Sequence, residues 1–172
     1  MFGNKRRSEL EHIQRNAQGE YIYTGVLYTY RGIYPRGRAI ALLWLVHVCG
    51  FAALVVAGTI SVPGMNGHWY VILPYTAAII LTMSALWSLG QLTAAGEPIR
   101  EYVADTACKR LPQRDTLTVI AAALTFIGEG VYLILHGENT LQSVIYLILI
   151  LLAGGMFFLG RRVMSRMSWE KQ

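Results

Sequence analysis

An all-α bundle of four membrane-spanning helices, arranged as two antiparallel hairpins, is the fold this sequence predicts, and three observations predict it. The 172 residues are 54% apolar and only 15% charged, against about 25% charged in an ordinary soluble domain. The apolar residues gather in four stretches, 39–62, 69–92, 116–136 and 141–160, each long enough to cross a hydrocarbon core about 30 Å thick at 1.5 Å per helical residue. Nearly all charges lie outside these stretches. A soluble enzyme, a disulfide-rich secreted module and a disordered chain are excluded on these grounds.

The arm 1–38 divides in two. Ser8 and Glu11 fit a capping box, so a short helix over 9–17 is expected, with Leu10, Ile13 and Ala17 on one side. Beyond Gly19, Tyr21-Ile22-Tyr23-Thr24 and Val26-Leu27-Tyr28-Thr29-Tyr30 are rich in strand-forming residues on either side of Gly25, which reads as a short Tyr-rich hairpin or an extended segment at headgroup level. A protein-docking strand is the alternative. Because 38 mostly polar residues precede the first span, that span is expected to serve as its own insertion signal.

The loops 63–68 and 137–140 are short, so spans 1 and 2, and spans 3 and 4, form the two hairpins. Neither loop carries a Lys or Arg. All 15 basic residues fall in the arm, the linker 93–115 and the tail 161–172, which places both termini and the linker on the cytoplasmic side of a plasma (inner) membrane. Arg36, Arg38, Arg100, Lys109, Arg110, Arg161 and Arg162 are the candidates for pairing with anionic lipid headgroups, each contributing about 1 kcal/mol near the surface. The charge is split among three segments that topology already explains, so no nucleic-acid partner is expected. In the linker, Glu97-Pro98 and the run up to Leu111-Pro112 read as an amphipathic helix presenting Ile99, Tyr102, Val103 and Thr106 to the inner leaflet or to a partner.

Two ionisable residues fall inside the spans, His47 and Glu129, and in hydrocarbon such a residue is a functional candidate by default. Thr118, Ala122, Thr125, Glu129, Tyr132 and His136 follow one another at alternating four- and three-residue steps, which keeps them on one stripe of span 3. Two readings stand side by side. Glu129 is a protonatable site or cation ligand reached from outside past Tyr132 and His136, or it is a buried hydrogen-bonding residue holding helices together. His47 carries the same pair of readings, at a depth roughly 8 Å from that of Glu129. Gly128 and Gly130, and the cluster Ala153-Gly154-Gly155, permit close helix approach.

No CxxC, HExxH, EF-hand or phosphate-loop pattern occurs, and no nucleophile with its base can be assembled, so neither cofactor nor metal nor catalysis is expected. The expected role is that of a non-catalytic membrane protein acting as a homo-oligomer or as a subunit of a larger complex. The alternative is a small proton- or cation-linked transporter or channel using Glu129.

Overall fold

The computed structural model describes residues 13–15, 21–23, 25–137 and 140–171. Four helices in it are long and apolar enough to cross a membrane: α1 (Arg36–Thr59), α2 (Trp69–Ala94), α3 (Glu101–His136) and α4 (Leu141–Ser165). Their ends follow from local chemistry. Gly137, at φ 68°, closes α3 in the left-handed conformation and returns its N–H to the Leu133 carbonyl at 2.9 Å, a conformation that glycine adopts without the Cβ penalty. Thr140 opens α4 by accepting the Ser143 N–H on its hydroxyl.

α3 is the central helix, packed on α2 and on α4, while α1 packs mainly on α4. Leu54, Tyr75, Tyr146, Ile150 and Phe157 fill one core cluster, with Ala57, Ala78, Ala122 and Ala153 between them; these small side chains let the helix backbones approach. The outward faces are apolar as well, with Leu45, Ile80, Trp87, Ile134 and Leu151 more than half exposed. A helix that is apolar all round belongs in a protein interior or in lipid.

One end of the bundle carries a three-stranded antiparallel sheet in which β3 (Leu27–Tyr30) lies between β4 (Ile99–Arg100) and β5 (Trp169–Lys171). The chain's arm, linker and tail are thus joined at this sheet end. The opposite, loop end holds a short 3₁₀ turn at Pro63–Met65 and the α3–α4 connection. At the sheet end Trp169 packs its ring edge on Tyr30, with centroids 5.1 Å apart.

The arm and linker differ from the sequence expectation. Ile13–Arg15, expected in a helix over 9–17, is strand β1, antiparallel to β2 (Tyr21–Tyr23); the rest of that segment lies outside the described residues. The two Tyr-rich halves around Gly25 do not pair with each other, because β3 finds the linker and the tail instead. An isolated two-turn helix is marginal, and strand formers near available edges win over it.

The linker is not a separate surface helix either. From Glu101 it runs without a break into α3, through a wide π turn at Thr106–Arg110 and on past Pro112. Proline lacks an N–H, and its ring collides with the carbonyl four residues back; one wider turn ahead of it absorbs that conflict without ending the helix. The face assigned to lipid, Ile99 and Val103 with Ala107, packs inward on Leu43, Leu89, Leu92 and Met164, and only Tyr102 of that face is exposed.

Candidate functional site

The polar stripe of α3 begins one step earlier than its apolar surroundings suggest. Asp115 lies three residues before Thr118 and continues the same spacing, so the stripe runs Asp115, Thr118, Ala122, Thr125, Glu129, Tyr132, His136. All but His136 are buried. Thr118 and Thr125 donate their hydroxyls back to the carbonyls of Arg114 and Ala121 on their own helix. The stripe therefore carries a fully buried acid in each half of the bundle, about 21 Å apart along the helix axis.

In the half nearer the sheet, His47 of α1 meets Asp115, not Glu129. Its Nε2 lies 2.9 Å from Asp115 Oδ1, both side chains wholly enclosed. Asp115, the last residue of the stretch 93–115 expected as linker, is thus a buried residue of α3, and it rather than Glu129 is the acid that His47 meets. His47 Nδ1 is 2.8 Å from the Leu43 carbonyl. A carbonyl only accepts, so Nδ1 carries a hydrogen and the Nε2–Oδ1 bond needs one shared proton. Among the described residues Asp115 Oδ2 has no hydrogen-bond partner; it packs against Gly160 of α4, where a Cβ would lie 3.2 Å from both Oδ2 and His47 Cε1. The Phe157 ring stands edge-on to the imidazole at 5.6 Å. Next door, Arg114 turns away to α2 and donates to the Ser84 carbonyl at 2.7 Å and to the Ser88 hydroxyl.

In the other half, Glu129 is fully buried, and among the described residues no side chain bonds its carboxylate oxygens; the polar group against them is the Gly64 backbone. Oε2 rests on Gly64, where any Cβ would collide with it; the 3₁₀ turn thus folds inward over the acid. The Tyr146 phenol of α4, also buried and without a hydrogen-bond partner among the described residues, lies close enough to interact electrostatically with Glu129 and Tyr75. Tyr75 itself is tied to the Leu54 carbonyl at 2.8 Å. Gly128 lets the α2 backbone approach, since a Cβ there would sit 2.9 Å from the Tyr70 carbonyl, while Gly130 faces open space.

A ring cluster covers this half at the loop end. Tyr132 stacks on His136 with centroids 4.2 Å apart and tilts onto His68 at 4.6 Å. His68, from the connection that also holds Gly64, was not among the sequence candidates. Neither were Tyr146, Gly64, Gly160 and Asp115. For Asp115 the stripe spacing, extended backward, was the available signal; the others reach the site through contacts between distant helices that no local pattern encodes.

The basic residues have varied partners. Arg36 bonds the Leu92 and Ala95 carbonyls, closing the end of α2, and lies 3.9 Å from Glu97. Lys109 pairs with Asp105 at 2.8 Å, and Arg162 sits over the Phe158 ring. Arg38, Arg110 and Arg161 are exposed. Among the described residues no group of three or more His, Cys, Asp and Glu side chains is placed to hold a metal ion. No family model, no curated protein and no solved structure matches the chain.

Proposed function

We propose that this chain is a small multi-pass protein of the plasma (inner) membrane, with its sheet end in the cytoplasm, that conducts or carries protons or a proton-linked cation by way of Glu129. The observation that carries this reading is the buried carboxylate of Glu129, which no side chain among the described residues bonds and which meets only the Gly64 backbone. An acid kept in hydrocarbon to hold helices together does so through hydrogen bonds to side chains of the other helices, and a buried carboxylate without those calls for a functional explanation. The stripe on which Glu129 stands, the phenol of Tyr146 beside it and the His68–Tyr132–His136 cluster toward the loop end supply polar groups on both sides of it. Orientation rests on the Lys and Arg residues, which are concentrated in segments at the sheet end; exposed Arg110, Arg161 and Arg162 suit anionic headgroups there. No catalytic step belongs to this reading.

A second reading, a non-catalytic subunit or homo-oligomer, is favoured by one feature. A groove of about 410 Å³ runs along the outside of α3 and α4, with Gly154 and Gly155 beside Phe126 and Phe158, a surface on which another helix fits closely. Flux separates the two. Wild-type protein in sealed vesicles is expected to dissipate an imposed pH gradient faster than protein-free vesicles. No proton, cation or small-solute flux above that control would leave the subunit reading standing alone.

A further inference from the structure

We infer that the His47–Asp115 pair is a second proton-binding site on the α3 stripe, loaded from the sheet end of the bundle. Proton binding by the pair stands on its own geometry. Its part in transport rests on the reading of Glu129, and deepens it by naming the proton as the ion that moves.

The chemistry of the pair is nearly fixed by its neighbours. With Nδ1 donating to Leu43, the resting pair shares one proton between Nε2 and Oδ1 and is neutral as a unit, whichever atom holds it. The remaining seat is Oδ2. A proton arriving there bonds to Oδ2 and leaves a neutral carboxylic acid whose Oδ1 accepts from a protonated imidazole; its release restores the shared-proton state. One proton is gained and one lost, with no other reactant. A metal cation suits the place poorly, since a hard cation takes six or more oxygen ligands. Around Oδ2 and the imidazole the structure has Gly160, Val46 and the Phe157 ring.

The surrounding charges leave the pair as the titrating group at this level. Arg114 is committed to Ser84 and Ser88 of α2, and the titratable side chains of α2 are Tyr70 and Tyr75, both in its loop-end half. On α1 the others are Arg36, engaged at the end of α2, exposed Arg38, and Cys49; on α4 they are Tyr146, in the far half, and exposed Arg161 and Arg162. Loading from the sheet end rests on the nearby space. A cavity of about 290 Å³ at the sheet end is lined by Pro112, Arg161, Met164 and Trp169 among others. Pro112 lies one helical turn below Asp115, and Arg161 follows Gly160, the residue that packs on Oδ2.

Asp105 and Asp115 are the only aspartates in the chain, so aspartate labelled with ¹³C at the side-chain carboxyl gives two readable carboxyls. In full-length protein reconstituted in vesicles, infrared difference spectra between alkaline and mildly acidic buffer should show a protonated-carboxyl band that Asp115→Asn removes and His47→Gln shifts. In the flux assay Asp115→Asn should fall to the protein-free level. An Asp115 carboxyl that never changes with pH overturns the proposal, and so does wild-type flux in a folded Asp115→Asn protein. If Asp115→Asn does not fold, the band shift and flux loss in His47→Gln decide instead. Should wild-type protein show no flux, the Glu129 reading fails while the infrared measurement still decides whether the pair binds a proton.

Discussion

His47 and Asp115 stand 2.9 Å apart, wholly enclosed between α1 and α3, although they are 68 positions apart in sequence. Removing one member of such a pair leaves the other buried without its partner, at a cost of about 3 to 5 kcal/mol. Asp115→Leu is therefore expected to lower resistance to denaturant sharply. Combining it with His47→Leu should recover much of the loss, because no polar group is then stranded. A double-mutant cycle on reconstituted protein measures the coupling; additive losses would mean that the two side chains do not depend on each other.

Gly64 is where the loop-end turn meets Glu129. A Cβ at this position lands on the carboxylate, so Gly64→Ala should destabilise by roughly 1 to 3 kcal/mol, as overpacking does. The same substitution in a Glu129→Ala background should cost much less. Equal costs in both backgrounds, by thermal unfolding, would place the turn elsewhere.

The β3–β5 register pairs Thr29 with Glu170. Cysteines at these two positions, in a chain whose Cys49 and Cys108 are replaced by Ala and Ser, should cross-link on mild oxidation. Cysteines at Thr29 and Asn66 should not, since Asn66 belongs to the loop end. Absence of the first cross-link would remove the sheet that joins arm and tail.

Orientation is testable at the native thiol. Cys108 is exposed at the sheet end, and a membrane-impermeant maleimide should reach it only from the cytoplasmic side. A cysteine at exposed Asn66, in a Cys108→Ser chain, should be labelled from the outside. Labelling of Cys108 in intact cells would reverse the topology and the side from which each acid is reached.

The four apolar helices and the buried stripe through Thr118, Thr125, Glu129 and Tyr132 were legible because both are local patterns, one of composition and one of spacing. Asp115 was not, although it continues that spacing. It follows Lys109, Arg110 and Arg114 and stands three residues past Pro112, an apparent helix break, and a charged residue in so basic a segment reads as solvated loop. What buries it is the π turn that carries α3 past Pro112, together with the bare backbone of Gly160 on α4. The sheet was illegible for a related reason. Ile99–Arg100 is only two residues long, and its pairing with β3 depends on helices bringing three remote segments to one end.

The role proposed for the Glu129 carboxyl is to take up and release charge, not to fill space. Glu129→Gln keeps the size of the side chain and removes its ability to ionise. The direct measurement is pH-driven proton flux in vesicles, set beside the thermal stability of the same preparations. Unchanged stability is expected for Glu129→Gln, with flux reduced to the protein-free level. A Gln variant that conducts as wild type would contradict it.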